Sequence, residues 1–556
     1  MLSTMKKVIA ISLIFVSQLL VYPTISAADS VPDEQYSINN TQSDNRNKFG
    51  VVFEDSIDTL RMPSLLYSYW NPNEQGATRS FCNGLDDPAC ASASYLKYYA
   101  LMPPCKSSTE VDCIESIYAI APGAPARIKG IYKESIPESV ARPFSADPAR
   151  GLPQGSVSGV WEIPNIKNGG GSTNFVAIVS RVGSFRKDGT RWLPLEQGDF
   201  RAAIFPVNIV RDSRYKANTA EIDSRGFGVS ISHPSQLPFD VCAIVGNGVC
   251  ALRQSFPEDV KFGMVIRFSK VINGWMHGRI DSPEIDYELT DYGTRVDMKG
   301  LPTRVPIVAG WTDPSNFTEA EKKNPNFQGI VGSTANPAPS GILSMNTLNL
   351  WAKILNDKAV ANPSQWIFYN LPEYAMQTAS SCIKTSKTLA GFVTTNSTTY
   401  TASPPVYNEK TGTLDYSVAS LHYLPDGKEF QGKYNLFIDS KVARCIYKFS
   451  NAPISATVSI TSADGAQKSI ATTTVTENNG WIHLSAVGFT FSNPTIKVKL
   501  IQGETAPQTA SPAPLASAPA ENVEKPMRST ITCTKGMTTR KVKAINPKCP
   551  KGFNKI

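Results

Sequence analysis

A mainly β fold is what the sequence predicts: antiparallel β-sandwich-like modules, a small mixed α/β connecting segment, and a C-terminal basic hairpin closed by a disulfide. Three observations predict it. Val, Thr, Ile and Tyr recur in short runs, and 40 Pro and 37 Gly punctuate them with turns. Ten cysteines, an even number, recur at regular spacings. The two ends of the chain differ in kind from the middle, one apolar and the other basic.

The first 28 residues read as a signal peptide. Lys6 and Lys7 supply a positive start, 8–22 is apolar apart from Ser12, Ser17 and Gln18, and Pro23 ends the run. Ser26-Ala27-Ala28 then offers a small-x-small cleavage site before Asp29. The run falls short of the ~20 residues that a membrane span needs. No cysteine follows it until Cys82, which argues against a lipid anchor, and no later stretch is apolar for long enough to span.

Residues 29–300 read as a β-rich region with three local disulfides. Strands are expected at 200–210 and 261–267, and Asn273-Gly274 has the form of a hairpin turn. From 283 to 289, Ile285, Tyr287 and Leu289 alternate with acids, as on a strand with one buried face. Residues 301–388 form the connecting segment. A helix capped by Ser344 and running to about 357 is expected, with Met345, Leu348, Trp351, Ala352 and Leu355 on its core side. A shorter helix is expected at 318–323. Residues 389–503 read as a β-sandwich domain, with turns at Ala463-Asp464-Gly465 and Asn478-Asn479-Gly480. Ile496, Val498 and Leu500 alternate there with Lys497 and Lys499. Residues 504–527 are a Pro/Ala-rich linker, and 528–556 a basic tail.

The cysteines read as disulfides in an exported chain. Cys82/Cys90, Cys105/Cys113 and Cys242/Cys250 share the spacing C-x7-C, Cys533 and Cys549 bracket the tail, and Cys382 and Cys445 remain as a long-range pair. The four cysteines from Cys82 to Cys113 allow three connectivities. Zinc is the rival reading, but it favours C-x(2–4)-C pairs, and none occurs. No metal site and no cofactor are expected.

Chemistry-bearing motifs are weak. Gly427 to Lys433 fits a phosphate loop by letter, but Tyr434 stands where a Ser or Thr should hold magnesium, and a strand is expected to follow. Gly155-Ser156-Val157-Ser158-Gly159 has Val at the place of a nucleophile. Ser381-Cys382-Ile383-Lys384 is S-x-x-K by letter, no H-E-x-x-H occurs, and the four histidines are scattered. Asp281, Glu284, Asp286, Glu288 and Asp291 are the carboxylates that a polysaccharide hydrolase would draw on. On a strand, Glu284, Asp286 and Glu288 share a solvated face. No catalytic residue is assigned.

One phrase occurs twice. Asn273-Gly274-Trp275-Met276-His277 and Asn479-Gly480-Trp481-Ile482-His483 are both N-G-W-x-H, each followed by P-x-I-x-x-x-L at 283–289 and 494–500. The echo suggests two related β modules. Alternation places Trp275, His277 and Arg279 on one face, Met276 and Ile280 on the other, and Trp481 with His483 together. An aromatic ring beside polar donors suits a glycan or peptide; a core Trp with a His at its rim is the plainer reading.

Charge is concentrated at the end. Arg528, Lys535, Arg540, Lys541, Lys543, Lys548, Lys551 and Lys555 fall in 527–556 without a single acid. With eight charges there and two in the leader, out of a net +8, the body 29–526 carries about −2. One-signed charge on a small closed body attracts polyanions such as wall polymers or an anionic envelope surface.

The tail, Ile531-Thr532-Cys533-Thr534-Lys535-Gly536 with Asn546-Pro547-Lys548-Cys549-Pro550-Lys551-Gly552, resembles a C-terminal element of exported actinobacterial surface proteins. Asn349-Leu350-Trp351, Val442-Ala443-Arg444-Cys445-Ile446-Tyr447 and Trp275-Met276-His277-Gly278-Arg279 are similar to segments of one group of them. The resemblance covers most of the chain. It implies an envelope location and a reused tail, and it transfers no catalytic residue. The expectation is a secreted or surface-associated structural or ligand-binding protein of the adhesion type, tethered by its tail, with a glycan as a further ligand, no specific nucleic acid, and no membrane span once the leader is cleaved. The alternative is a secreted polysaccharide hydrolase.

Overall fold

The structure is a computed structural model. It describes residues 45–55, 62–68, 80–136, 142–222, 229–232, 234–237, 241–337, 340–450, 454–461, 467–469, 472–491, 495–502, 529–535, 538–544, 548–549 and 553–555. The leader, the linker, the turn at 463–465 and the tail turn at 536 lie outside these. The fold is mainly β, with 51% strand and 9% helix. Two compact units are present, Met1–Glu504 and Thr505–Ile556.

The first unit is built from three stacked β layers. Its central sheet runs through Gly159–Glu162, Asn174–Asp188, Arg191–Arg211, Ile367–Asn370, Gly274–Thr290, Leu389–Thr395, Gly432–Asp439, Trp481–Phe489 and Thr472–Asn478. Neighbours in this sheet are antiparallel except Gly274–Thr290 with Leu389–Thr395, which run parallel. One outer sheet comprises Ile128–Lys129, Cys113–Ile120, Lys261–Phe268, Gly293–Arg304 and the C-terminal half of Gly274–Thr290. The other comprises Thr399–Tyr400, Thr413–Ala419, Thr495–Gln502, Ile454–Thr461 and Gln467–Ser469.

Apolar side chains fill both gaps. Ile117, Met264, Val296 and Met298 of the first outer sheet pack on Phe175, Ala202, Met276, Phe392 and Phe437. Leu414, Tyr416, Ile496 and Val498 of the second pack on Trp275, Val393, Leu436, Ile438 and Ile482. Leu389–Thr395 is buried at every position because a core covers each of its faces, with Phe392 in one and Val393 in the other.

Pairing crosses both positions where a boundary is expected. Val52 pairs with Ala309, and Met276 pairs with both Asn370 and Phe392. Residues 29–300, 301–388 and 389–503 therefore contribute strands to one compact unit rather than to three.

Gly274–Thr290 carries two sheets in sequence. Its first residues belong to the central sheet, a bulge falls between Asp281 and Glu284, and the rest joins the outer sheet. Ser282, at φ 47°, makes the bend. Asn273-Gly274 is not a hairpin, contrary to expectation. Gly274 has the positive φ of a turn, 79°. Strand Lys261–Phe268, however, already has both edges filled, by Cys113–Ile120 and Gly293–Arg304. The chain must cross to another sheet instead. Asn479-Gly480 does form a two-residue hairpin, at φ 50° and 78°, with Asn478 paired to Trp481.

The expected helices are present with shifted ends. Ile342–Ala352 is capped at Gly341, and Ser344 is a buried residue inside it. Met345, Leu348, Trp351 and Leu355 share a core with Phe49, Phe53 and Phe327. Thr318 and Glu321 form a capping box on Glu319–Lys322. Helix Ser440–Tyr447 is unanticipated. The Asp439 carboxylate caps it by accepting from the Lys441 and Val442 amides.

The ten cysteines pair as Cys82–Cys90, Cys105–Cys113, Cys242–Cys250, Cys382–Cys445 and Cys533–Cys549. Such a set fits folding outside a reducing cytoplasm. Cys382–Cys445 joins helices Ser381–Lys384 and Ser440–Tyr447 across 63 residues, a loop whose closure destabilises the unfolded state by about 4 kcal/mol through lost chain entropy. Among the described residues, no three His, Cys, Asp or Glu side chains are placed to hold a metal, and no helix is long and apolar enough to cross a membrane.

Candidate functional site

The two N-G-W-x-H strands lie in one sheet and run in the same direction, but their Trp and His side chains stand on opposite faces. Register decides this. Met276 pairs with Phe392, Phe392 with Phe437, and Phe437 with His483. Paired residues share a face, so His483 stands on the side of Met276. Trp275 pairs with Gly391, then Ile438 and Ile482, on the other side.

Trp275, His277 and Arg279 are enclosed, at 0%, 2% and 3% exposure. Trp275 lies over Gly391, where an added Cβ would stand 2.1 Å from the indole. His277 sits among the rings of Tyr369, Tyr400 and Tyr416, at 6.0, 5.3 and 6.0 Å between centroids. Burial first, then the Arg279 charge, press its pKa down to about 3, against a smaller pull from the Ser403 backbone. Arg279 is paired with Asp55 at 2.7 Å, donates to the Thr395 and Ser397 carbonyls at 2.9 and 2.7 Å, and lies 4.4 Å over the Tyr400 ring. Tyr369 and Tyr400 share a hydroxyl–hydroxyl hydrogen bond. This is a polar knot inside the molecule, and it ties residue 55 to strands near 279 and 395.

Trp481 and His483 are half-buried, alternating with the buried Ile482 and Leu484. His483 stacks on Phe437, centroids 4.0 Å apart and planes at 11°. Its Nε2 lies 3.5 Å from Asn435 Oδ1, and Asn435 donates to Thr394 Oγ1 at 3.1 Å. Burial lowers the His483 pKa to about 4, with the Glu284 charge pulling the other way. Lys433, on the same strand as Asn435, is paired with Asp281.

The carboxylate cluster divides at the bulge. Asp281 is held by Lys433, and Glu284 by Lys261 and Lys299 at 2.8 and 3.0 Å. Asp286, Glu288 and Asp291 are exposed. Burial raises the Glu284 carboxyl, but the two lysines outweigh it and hold the group below its usual range. A general acid needs the opposite shift.

The second compact unit is a hairpin. Ser529–Lys535 pairs with Thr538–Ala544 and with Asn554–Lys555. Cys533–Cys549 closes it, and Cys533 is fully buried. Lys541, Lys548 and Lys555 are exposed. Lys535, Arg540 and Lys543 occupy strand positions, while Arg528 and Lys551 lie outside the described residues.

No family model, curated protein or solved structure matches this chain. Sequence reasoning missed the Asp55–Arg279–tyrosine knot. Its members span residues 55 to 416, and the one local hint is that Arg279 alternates with Trp275 and His277 on a strand, an Arg on the face of a core Trp.

Proposed function

We propose that the protein is an exported cell-envelope protein with a structural or ligand-binding role, held to anionic wall polymer or envelope surface by its basic C-terminal unit. The observation that carries this reading is the form of that unit. It is a compact body distinct from the rest of the chain, closed by its own disulfide, with Lys541, Lys548 and Lys555 exposed and no acid anywhere in 527–556. Concentrated positive charge on a preorganised hairpin attracts polyanions at long range. A Pro/Ala linker lets such a module reach a surface without constraining the body. Five disulfides fit the extracellular compartment in which such polymers occur. The test is truncation before Glu524. The shortened protein should keep its four body disulfides and leave isolated envelopes for the supernatant. Equal cosedimentation of both forms at low salt would overturn the reading.

A further inference from the structure

We infer that the half-open face of the central sheet around Trp481 and His483 is a binding platform for a neutral saccharide. The inference rests on the reading of an envelope binding protein but not on the tail, since this face belongs to the other compact unit.

The platform follows from register. Asn478, Trp481 and Asp439 form one row across three strands, and Thr476, His483 and Phe437 form the next. Ser485 pairs with Asn435 in the row after that. These side chains share the face on which the first outer sheet packs, and they lie at its margin. Phe437 is part of the core there, Trp481 packs on that core's edge, and Thr476 and Asn478 are exposed. A half-buried indole beside an imidazole is therefore flanked by Thr, Asn and Ser groups that donate and accept hydrogen bonds.

The chemistry of the lining selects the ligand. The charged groups named beside this margin already have partners among the described residues. Lys433 pairs with Asp281, Glu284 with Lys261 and Lys299, and Asp439 accepts from two helix amides. Asp439 apart, the groups in these rows, Trp481, His483, Thr476, Asn478 and Ser485, are neutral. They suit a polyhydroxylated neutral ring, because its C–H face stacks on an indole and its hydroxyls meet neutral donors and acceptors. The opposite Trp-x-His face offers nothing comparable, since Trp275 and His277 are sealed in the core.

The test uses the full chain with soluble neutral polysaccharides as probes (a glucan, a mannan, a xylan and an arabinogalactan) and dextran sulfate as the anionic comparator. Salt of about 1 M shortens the Debye length to ~3 Å and silences the tail. At least one neutral polymer should bind under these conditions. Trp481→Ala should weaken that binding by at least ~10-fold, as for the loss of an aromatic anchor, whereas Trp481→Phe should retain most of it. Hydroxyl-radical footprinting of the unmodified protein should show Trp481 protected by the bound polymer, a readout that stands even if Trp481→Ala misfolds. The inference fails if no neutral polymer binds or protects Trp481, or if Trp481→Ala binds as well as the parent. Binding of dextran sulfate alone, lost at high salt, would refute this platform and leave the tail as the binding element.

Discussion

The same five-residue phrase has opposite fates at its two occurrences. Asn273-Gly274-Trp275-Met276-His277 enters the middle of the central sheet, flanked by Ile367–Asn370 and Leu389–Thr395. Asn479-Gly480-Trp481-Ile482-His483 forms a hairpin near the sheet's end, and its Trp and His face the other layer. Side chains alternate along any strand, so local sequence fixes which residues share a face. It does not fix which face is buried; that depends on neighbours and register. The first pair is core and the second lies at a margin. The echo is thus one of local geometry, a positive-φ Gly followed by a strand, rather than of equivalent sites.

The comparison can be broken hardest at Arg279. Arg279→Met strands the Asp55 carboxylate and the carbonyls of Thr395 and Ser397 in the interior, and should cost about 3–5 kcal/mol in chemical denaturation. A cost under 1 kcal/mol would show that the knot is solvated. Gly391→Ala comes next. Its methyl must displace the Trp275 ring, so a loss of about 1–3 kcal/mol is expected, with altered near-ultraviolet circular dichroism. Gly480→Ala meets no neighbour and suffers only the strain of φ 78°, and should cost about 1 kcal/mol.

Acid sharpens the contrast between the two histidines. Both fold with depressed pKa values, about 3 for His277 and about 4 for His483, from 6.5. The unfolded chain therefore binds protons that the native state refuses. The contribution is fully present above pH 6.5 and is lost as pH falls toward the folded values, at up to ~1.4 kcal/mol per pH unit for each group. The native state of His277→Phe should lose less stability than the parent between pH 6 and pH 4, measured by urea midpoints. An unchanged slope would mean that His277 titrates in the native state. The smallest effect is optical. Acrylamide should quench Trp481 more readily than Trp275, read as the difference between Trp481→Phe and parent quenching curves.

Much of the fold was legible in sequence because its signals are local. The alternation of Ile496, Val498 and Leu500, the Asn479-Gly480 turn and the C-x7-C bridges each depend on residues close in the chain. The helix Ser440–Tyr447 escaped because it is brief and follows a strand directly, although Asp439 and the spacing of Val442, Ala443 and Ile446 carry its signature. The layering was not legible. Nothing near Asn273-Gly274 records that strand Lys261–Phe268 has both edges filled by strands before and after it. The tail stands at the opposite extreme, since its charge, its bridge and its separation from the body are all properties of consecutive residues.

The measurement that tests the central claim most directly is cosedimentation with isolated envelopes, across salt, of the parent and of Lys541→Gln/Lys548→Gln/Lys555→Gln. Each exposed lysine near an anionic surface contributes about 1 kcal/mol. The triple variant should keep its fold and its Cys533–Cys549 bridge, lose most of its binding at low salt, and show a shallower salt dependence than the parent. If the triple variant sediments with the parent at every salt concentration, the basic unit does not hold the protein to its surface.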